Sequence, residues 1–166
     1  MPIAPAPTGN GLAMRVSSFV TAAAVHHDVH LIVVPTAGAT RTPPPPAGVR
    51  TTTLSPRDPA DPREAMAWIA DPQWRERYAL LAPVLPVVRC APPSMTDEVE
   101  AVLGQWRPDA VLACRLAMAV LGLALAERFD AALLIDADDD DAQYHLSRGE
   151  AAAASAVDRV ARLCLP

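Results

Sequence analysis

The chain has 166 residues, a net charge of −5 and 51% hydrophobic residues, which predicts a single globular domain over 1–166. All 14 basic residues are arginine, so mechanisms that need a lysine, such as Schiff-base catalysis or a P-loop phosphate clamp, are excluded. The acidic balance and the lack of a basic stripe argue against nucleic acid as a partner.

The cysteines Cys90, Cys114 and Cys164 lie far apart in the sequence and lack CxxC spacing. A disulfide framework or a zinc site is therefore not expected, no metal ligand is assigned, and a reduced, cytoplasmic setting is predicted. The longest apolar run, 116–126, is too short to cross a bilayer, so no transmembrane segment is predicted.

The first unit along the chain is a glycine-bearing loop, an amphipathic helix and a buried strand at 29–34. Apolar residues at helical spacing predict that one face of the helix is buried. These residues are Leu12, Val16, Phe19, Val20 and Ala23. In parallel sheets such a loop offers backbone N–H groups to ligands. The candidate binding residues are therefore Gly9, Asn10 and Gly11, with Arg15 on the following helix.

The middle of the chain is rich in proline, which limits regular structure. A surface loop is predicted over 36–50, where four prolines are consecutive. A short strand follows at 49–54, and a helix with proline in its first turn is predicted at 62–70. Residues 72–91 predict a helix end followed by an irregular buried connection, because prolines interrupt the pattern.

Helix and strand alternate in the rest of the chain. The predicted elements are a helix over 96–106, a strand at 110–114, a helix at 116–128, a strand at 131–135 and a final helix with Val157, Val160, Ala161 and Cys164 on its buried face. This alternation predicts an α/β fold with a parallel sheet between two layers of helices, in a three-layer, Rossmann-like arrangement.

The strand at 131–135 runs directly into the sequence DADDDD, residues 136–141. An EF-hand loop is excluded, because Asp141 and Ser147 stand where glycine and a bidentate glutamate are required. A haloacid-dehalogenase-type phosphatase is not expected, because that family needs a lysine and this chain has none. A metal-binding DxD of a glycosyltransferase is not favoured either, because the flanking sequence offers no matching sugar-nucleotide domain. Two interpretations remain open: an acidic turn that caps the next helix, or a ligand site at the carboxyl end of a parallel strand.

Several of these segments occur in an order that is found in a known enzyme family. The segments are the glycine loop ending at Gly11, the helix with Arg15 and Phe19, HDVHLIVVP at 27–35, PDAVLACR at 108–115 and LLIDADDDD at 133–141. Together they resemble the N-terminal half of family 4-like GT-B glycosyltransferases. The resemblance covers most of the chain.

The resemblance implies a Rossmann-like, acceptor-binding domain of an enzyme that transfers a sugar from a nucleotide sugar to an acceptor. It implies that Gly9 and Gly11 lie at the interdomain cleft, with Arg15 near the acceptor. The acidic segment of that family corresponds here to residues 136–141.

Within that acidic segment the matching positions are Asp136, Asp138 and Asp139, and the best candidates for catalysis are Asp138 and Asp139. Such enzymes often carry a histidine after the fourth strand, where this chain has Cys114 and Arg115. The catalytic residue therefore stays unassigned, and Arg115 is a candidate for binding an anionic group.

The resemblance also implies a partner. The C-terminal half of such enzymes, which binds the nucleotide sugar, has no counterpart in this sequence, so a donor-binding domain or a separate subunit is expected. This chain itself is expected to bind no cofactor. The alternative function is a non-catalytic, Rossmann-like binding module.

The segment before the glycine loop is a poor central strand, because it has prolines at positions 2, 5 and 7 and proline cannot donate ladder hydrogen bonds. We therefore expect that a strand upstream of this sequence, a rearrangement, or pairing in a homodimer completes the sheet.

Overall fold

A computed structural model describes residues 4–8, 11–35, 46–57, 62–81, 86–137 and 141–164. It consists of helices and short pairs of parallel strands, so the predicted α/β class is confirmed. By its internal contacts the chain divides into two compact units, Met1–Arg57 and Asp58–Pro166. No helix in the described ranges is long and apolar enough to span a membrane.

The described residues of the N-terminal unit form one helix, α1 (Gly11–Ala23), and two strands, β1 (His30–Val33) and β2 (Arg50–Thr53). The strands pair in parallel, with the first residue of β1 opposite the first of β2. Both strands lie within the segments predicted to be extended. The long proline-rich loop between them was also predicted, and its residues 36–45 lie outside the described ranges.

One face of α1 is buried, as its apolar spacing predicts. Ala13, Val16 and Val20 lie on that face. Phe19, which was predicted to share it, is 40% exposed, and this detail of the prediction is wrong. Phe19 lies near the edge of the apolar stripe, where the guanidinium carbon of Arg15 is 5.4 Å from the centroid of its ring.

Residues 4–8 form no strand, as their prolines predict. The N–H of Ala6 instead donates to the carbonyl of Ala13 over 3.1 Å, which ties the segment to the first turn of α1. How the sheet is completed stays a prediction.

The second unit contains the remaining elements. They are α2 (Pro62–Ala70), α3 (Pro72–Leu81), α4 (Pro86–Arg89), α5 (Thr96–Leu103), β3 (Ala110–Cys114), α6 (Ala119–Phe129), β4 (Ala132–Asp136), α7 (Asp141–Ser147) and α8 (Ala151–Cys164), with single 3-10 turns at Pro93–Met95 and Leu116–Met118. Strands β3 and β4 pair in parallel, from Ala110 opposite Ala132 to Cys114 opposite Asp136.

The segment after α2 is more helical than predicted. Pro72 cannot continue α2, but it suits the first turn of a new helix, where its missing N–H costs nothing. The carboxylate of Asp71 caps that helix by accepting the N–H of Gln73 over 2.8 Å. Helix α3 therefore forms a full ten-residue element, although its apolar pattern is interrupted.

Helix α6 covers one face of the β3–β4 pair, and its close approach depends on Gly122. A Cβ atom at that position would lie 2.8 Å from the Cβ of Ala113 and 3.2 Å from a methyl carbon of Leu133. Helix α6 begins at Ala119, three residues later than predicted, because the chain first makes a 3-10 turn.

The opposite face of the β3–β4 pair is exposed at its middle residues and buried at its carboxyl end, at Cys114 and Asp136. Leu112 and Leu134 are register partners on that face, and they are 49% and 51% exposed. Side chains alternate between the two faces of a strand, so this face is the one that α6 does not cover.

The core of the second unit lies between α2, α3, α6 and α8. Trp68 and Trp74 meet there edge to face, with ring centroids 6.1 Å apart. Val157, Val160 and Cys164 of α8 are buried in the same cluster, which confirms the predicted inner face of the final helix.

Candidate functional site

The carboxyl ends of β3 and β4 bring two of the predicted site residues together. Cys114 and Asp136 are the last register partners of the parallel pair. The N–H of Arg115, the next residue, donates to the carbonyl oxygen of Asp136 over 2.9 Å. Ligands of open α/β sheets bind at this edge, so Arg115 and Asp136 form the centre of the candidate site.

Arg115 has a backbone conformation that favours glycine, with φ +78° and ψ 146°. Such a conformation costs a residue with a Cβ about 1–3 kcal/mol, and it persists only where the surroundings hold it. Here the flanking side chains of Cys114 and Leu116 are buried, and the carbonyl of Arg115 accepts the N–H of Met118 over 2.9 Å. The turn from strand to helix is therefore fixed on both sides.

Asp136 is the last residue of β4 rather than the first residue of a loop, which corrects the predicted boundary. Its carbonyl oxygen accepts the N–H of Arg115, which extends the hydrogen-bond ladder of the β3–β4 pair by one bond. The residue is only 9% exposed, so a ligand would have to reach the end of the strand to contact it. Asp138 and Asp139, the best candidates for catalysis, lie outside the described residues.

The other predicted residues lie in the N-terminal unit. Gly9 and Asn10 fall outside the described residues. Gly11 is the first residue of α1, and Arg15 is exposed on the same helix beside Phe19. The structure thus places Gly11 and Arg15 on one helix and Arg115 with Asp136 at one sheet edge.

A charged cluster at the turn between α7 and α8 was not predicted from the sequence. The Nδ1 atom of His145 lies 2.6 Å from Oε2 of Glu150, and Nε of Arg148 donates to Oε1 of Glu150 over 3.0 Å. Hydrogen bonds from His145 and then Arg148 hold the pKa of Glu150 below its usual value. The sequence signal that could have indicated this turn is Gly149, because a glycine after a helical segment commonly marks the end of the helix.

The β1–β2 pair holds a second polar group that the sequence did not indicate. Nε2 of His30 lies 3.0 Å from the hydroxyl oxygen of Thr52, across the pair. Burial, and then the positive charge of Arg50, lower the pKa of His30. Arg50 itself donates to Asp28 over 2.6 Å at an exposed position.

An open depression of about 630 Å³ lies at the corner between α2 and α3. Its lining residues are Met66, Ile69, Ala70 and Arg75. The lining is mostly apolar, and Nε of Arg75 already donates to the carbonyl of Ile69. The depression contains no predicted site residue.

In the part of the chain that the structure describes, no group of three or more His, Cys, Asp or Glu residues is arranged to hold a metal ion.

Comparisons with protein-family models, with curated proteins and with solved structures found no match to this chain. The site must therefore be interpreted from its own geometry.

Proposed function

We propose that this chain is the acceptor-binding, Rossmann-like domain of a two-domain GT-B glycosyltransferase. The observation that carries the proposal is the edge at which β3 and β4 end in parallel, where the backbone N–H of Arg115 bonds to the carbonyl of Asp136. An arginine presents several N–H donors in a fixed plane, which suits a phosphate, a carboxylate or paired hydroxyl groups. The carboxylate of Asp136, at the end of the neighbouring strand, would accept hydrogen bonds from sugar hydroxyls.

The proposed domain would be a three-layer structure, with helices on both faces of its sheet. Helix α6 supplies one layer. The open face at Leu112 and Leu134 is the position for the second layer, since a parallel sheet is normally covered on both faces. The nucleotide sugar would bind to a donor-binding domain or a separate subunit, and the reaction would take place in the cytoplasm.

A second candidate function is a non-catalytic, Rossmann-like module that binds a sugar or an anion at the same sheet edge. The burial of Asp136 favours it, because the carboxylate of a residue that is only 9% exposed is poorly placed to meet a reacting atom. In both proposals the ligand contacts the end of the β3–β4 pair, but only the enzyme requires a donor-binding partner.

A ligand-observed NMR screen of the chain against monosaccharides, disaccharides, sugar phosphates and UDP- or GDP-sugars tests the proposal. We expect weak binding of an acceptor-like sugar or sugar phosphate, and loss of that binding in Arg115→Ala. The matched control is Arg162→Ala, which removes an exposed arginine of α8. Micromolar binding of a nucleotide sugar, or no sugar binding at all, would contradict the acceptor-domain assignment.

A further inference from the structure

The depression at the corner between α2 and α3 lies on the outer side of α2. Of the described residues, Met66, Ile69 and Ala70 of α2 and Arg75 of α3 line it. Trp68 of α2 is buried in the core. At 3.6 residues per turn, Met66 and Ala70 each lie about 160° around the helix from Trp68. The depression therefore faces away from the core of the second unit.

The size and lining of the depression suit a small apolar molecule. Its volume is about 630 Å³, which is within the range of roughly 300–1,000 Å³ for pockets that hold small ligands. Met66 is 61% exposed, Ala70 is exposed and Ile69 is partly buried. A hydrocarbon chain that covers these side chains would remove apolar surface from water, which is favourable in proportion to the area covered.

The guanidinium group of Arg75 is held at the depression by a backbone contact. Its Nε donates to the carbonyl of Ile69 over 3.1 Å. That carbonyl lies in the last turn of α2, where carbonyls have no partner within the helix. Capping of α2 thus explains the position of Arg75, but it uses only one of the five N–H donors of an arginine.

The other donors of Arg75 have no acceptor in the described part of the chain, where its side chain forms no ion pair and no hydrogen bond besides the one to Ile69. The carboxylate of Asp71, one turn earlier, accepts the N–H of Gln73 instead. Arg128, in contrast, pairs with a glutamate. The two terminal nitrogens of a guanidinium form a planar edge that matches the two oxygens of a carboxylate. The depression therefore combines an apolar lining with a cation that can bind a carboxylate.

We propose that this depression binds an apolar monocarboxylate, a medium-chain fatty acid, with the carboxylate on Arg75 and the hydrocarbon chain over Met66 and Ala70. Arg75 is the one cationic group among the described lining residues, which suits a single negative charge, whereas a phosphate group carries up to two. The depression shares no described lining residue with the sheet edge at Arg115, so the proposal does not rest on the proposed function.

Titration of the full chain with sodium decanoate at pH 7, below the concentration at which decanoate forms micelles, tests the proposal. Backbone amide shifts should saturate and should be largest at residues 66–75. Decanol, which has the same chain length and no charge, should bind about tenfold more weakly, because it lacks the hydrogen bonds to a charged group. Octanoate should bind about fourfold more weakly than decanoate, because it lacks two methylene groups that the open depression would half cover.

Substitutions separate the two halves of the site. Arg75→Gln should weaken decanoate binding about tenfold and leave decanol binding unchanged. Arg75→Lys should give an intermediate affinity for decanoate, because lysine keeps the charge but not the planar edge. Met66→Gln should weaken the binding of both ligands about threefold. The matched controls, Arg162→Gln in α8 and Met14→Gln in α1, replace exposed residues and should change neither affinity.

Equal affinities for decanoate and decanol, or unchanged decanoate binding in Arg75→Gln, would overturn the proposal. Largest shifts at Leu112 and Leu134, which are exposed on the β3–β4 pair, would also overturn it. Sedimentation of the chain as a dimer that Met66→Gln dissociates would overturn it as well, because a second copy would then occupy the depression. If the amide spectrum shows that Arg75→Gln is unfolded, the affinities of Arg75→Lys and Met66→Gln decide the outcome.

Discussion

The N–H of Arg115 donates a hydrogen bond to the carbonyl oxygen of Asp136 over 2.9 Å, across the ends of two parallel strands. This bond extends the β3–β4 ladder by one residue beyond β3, into a turn where Arg115 has a positive φ. Strain is thus located at the sheet edge where α/β proteins bind ligands.

We expect glycine at position 115 to stabilise the chain relative to alanine. Both Arg115→Gly and Arg115→Ala remove the guanidinium group, but only glycine adopts φ +78° without a Cβ penalty. The free energy of unfolding in urea should be about 1 kcal/mol higher for the glycine variant than for the alanine variant. Equal stabilities would show that the turn is not strained in solution.

The contact between α6 and β3 should be sensitive to a single methyl group. Gly122→Ala would place a Cβ 2.8 Å from that of Ala113, and overpacking of this kind costs about 1–3 kcal/mol. The comparison is Gly11→Ala in α1, where no atom lies within 4 Å of the added Cβ. In thermal unfolding, Gly122→Ala should lower the melting temperature clearly and Gly11→Ala should leave it unchanged. Similar melting temperatures for the two variants would argue against the close helix–strand contact.

Much of the fold is readable from the sequence because local patterns decide it. The helix at 62–70 and the strand at 110–114 were predicted with their observed bounds, since proline fixes the first turn of the helix and an apolar run defines the strand. Helix α3 was underpredicted, because the cap at Asp71 overrides a weak apolar pattern.

The candidate site was less predictable, for a different physical reason. Asp136 was identified as a site residue, but its position inside β4 depends on pairing with a strand more than twenty residues away in the sequence. The strained φ of Arg115 likewise follows from burial on both sides of the turn. A local sequence pattern does not reveal this burial. The cluster at Glu150 arises from a turn geometry that brings together residues five apart.

The thiol of Cys164 should make stability depend on pH in the alkaline range. Burial raises the pKa of Cys164 to about 12, above its value in the unfolded chain. The folded state therefore holds the proton more tightly, so this contribution is complete below the unfolded pKa of about 8.5 and is lost as the pH rises through the folded value.

Urea unfolding at pH 8 and pH 10 measures this effect. The wild type should lose stability between the two values, and Cys164→Ala, although less stable overall, should lose less. An identical loss in both proteins would mean that the thiol does not titrate differently on unfolding.

The central claim is that a sugar or sugar phosphate binds where β3 and β4 end. The most direct test is a map of backbone amide shifts on the chain, titrated with a sugar phosphate that binds in the ligand screen. The account predicts that the largest shifts fall at residues 114–119 and 136–137, and that they disappear in Arg115→Ala. Largest shifts at the α2–α3 depression around Met66 and Arg75, with residues 114–119 unaffected, would contradict it.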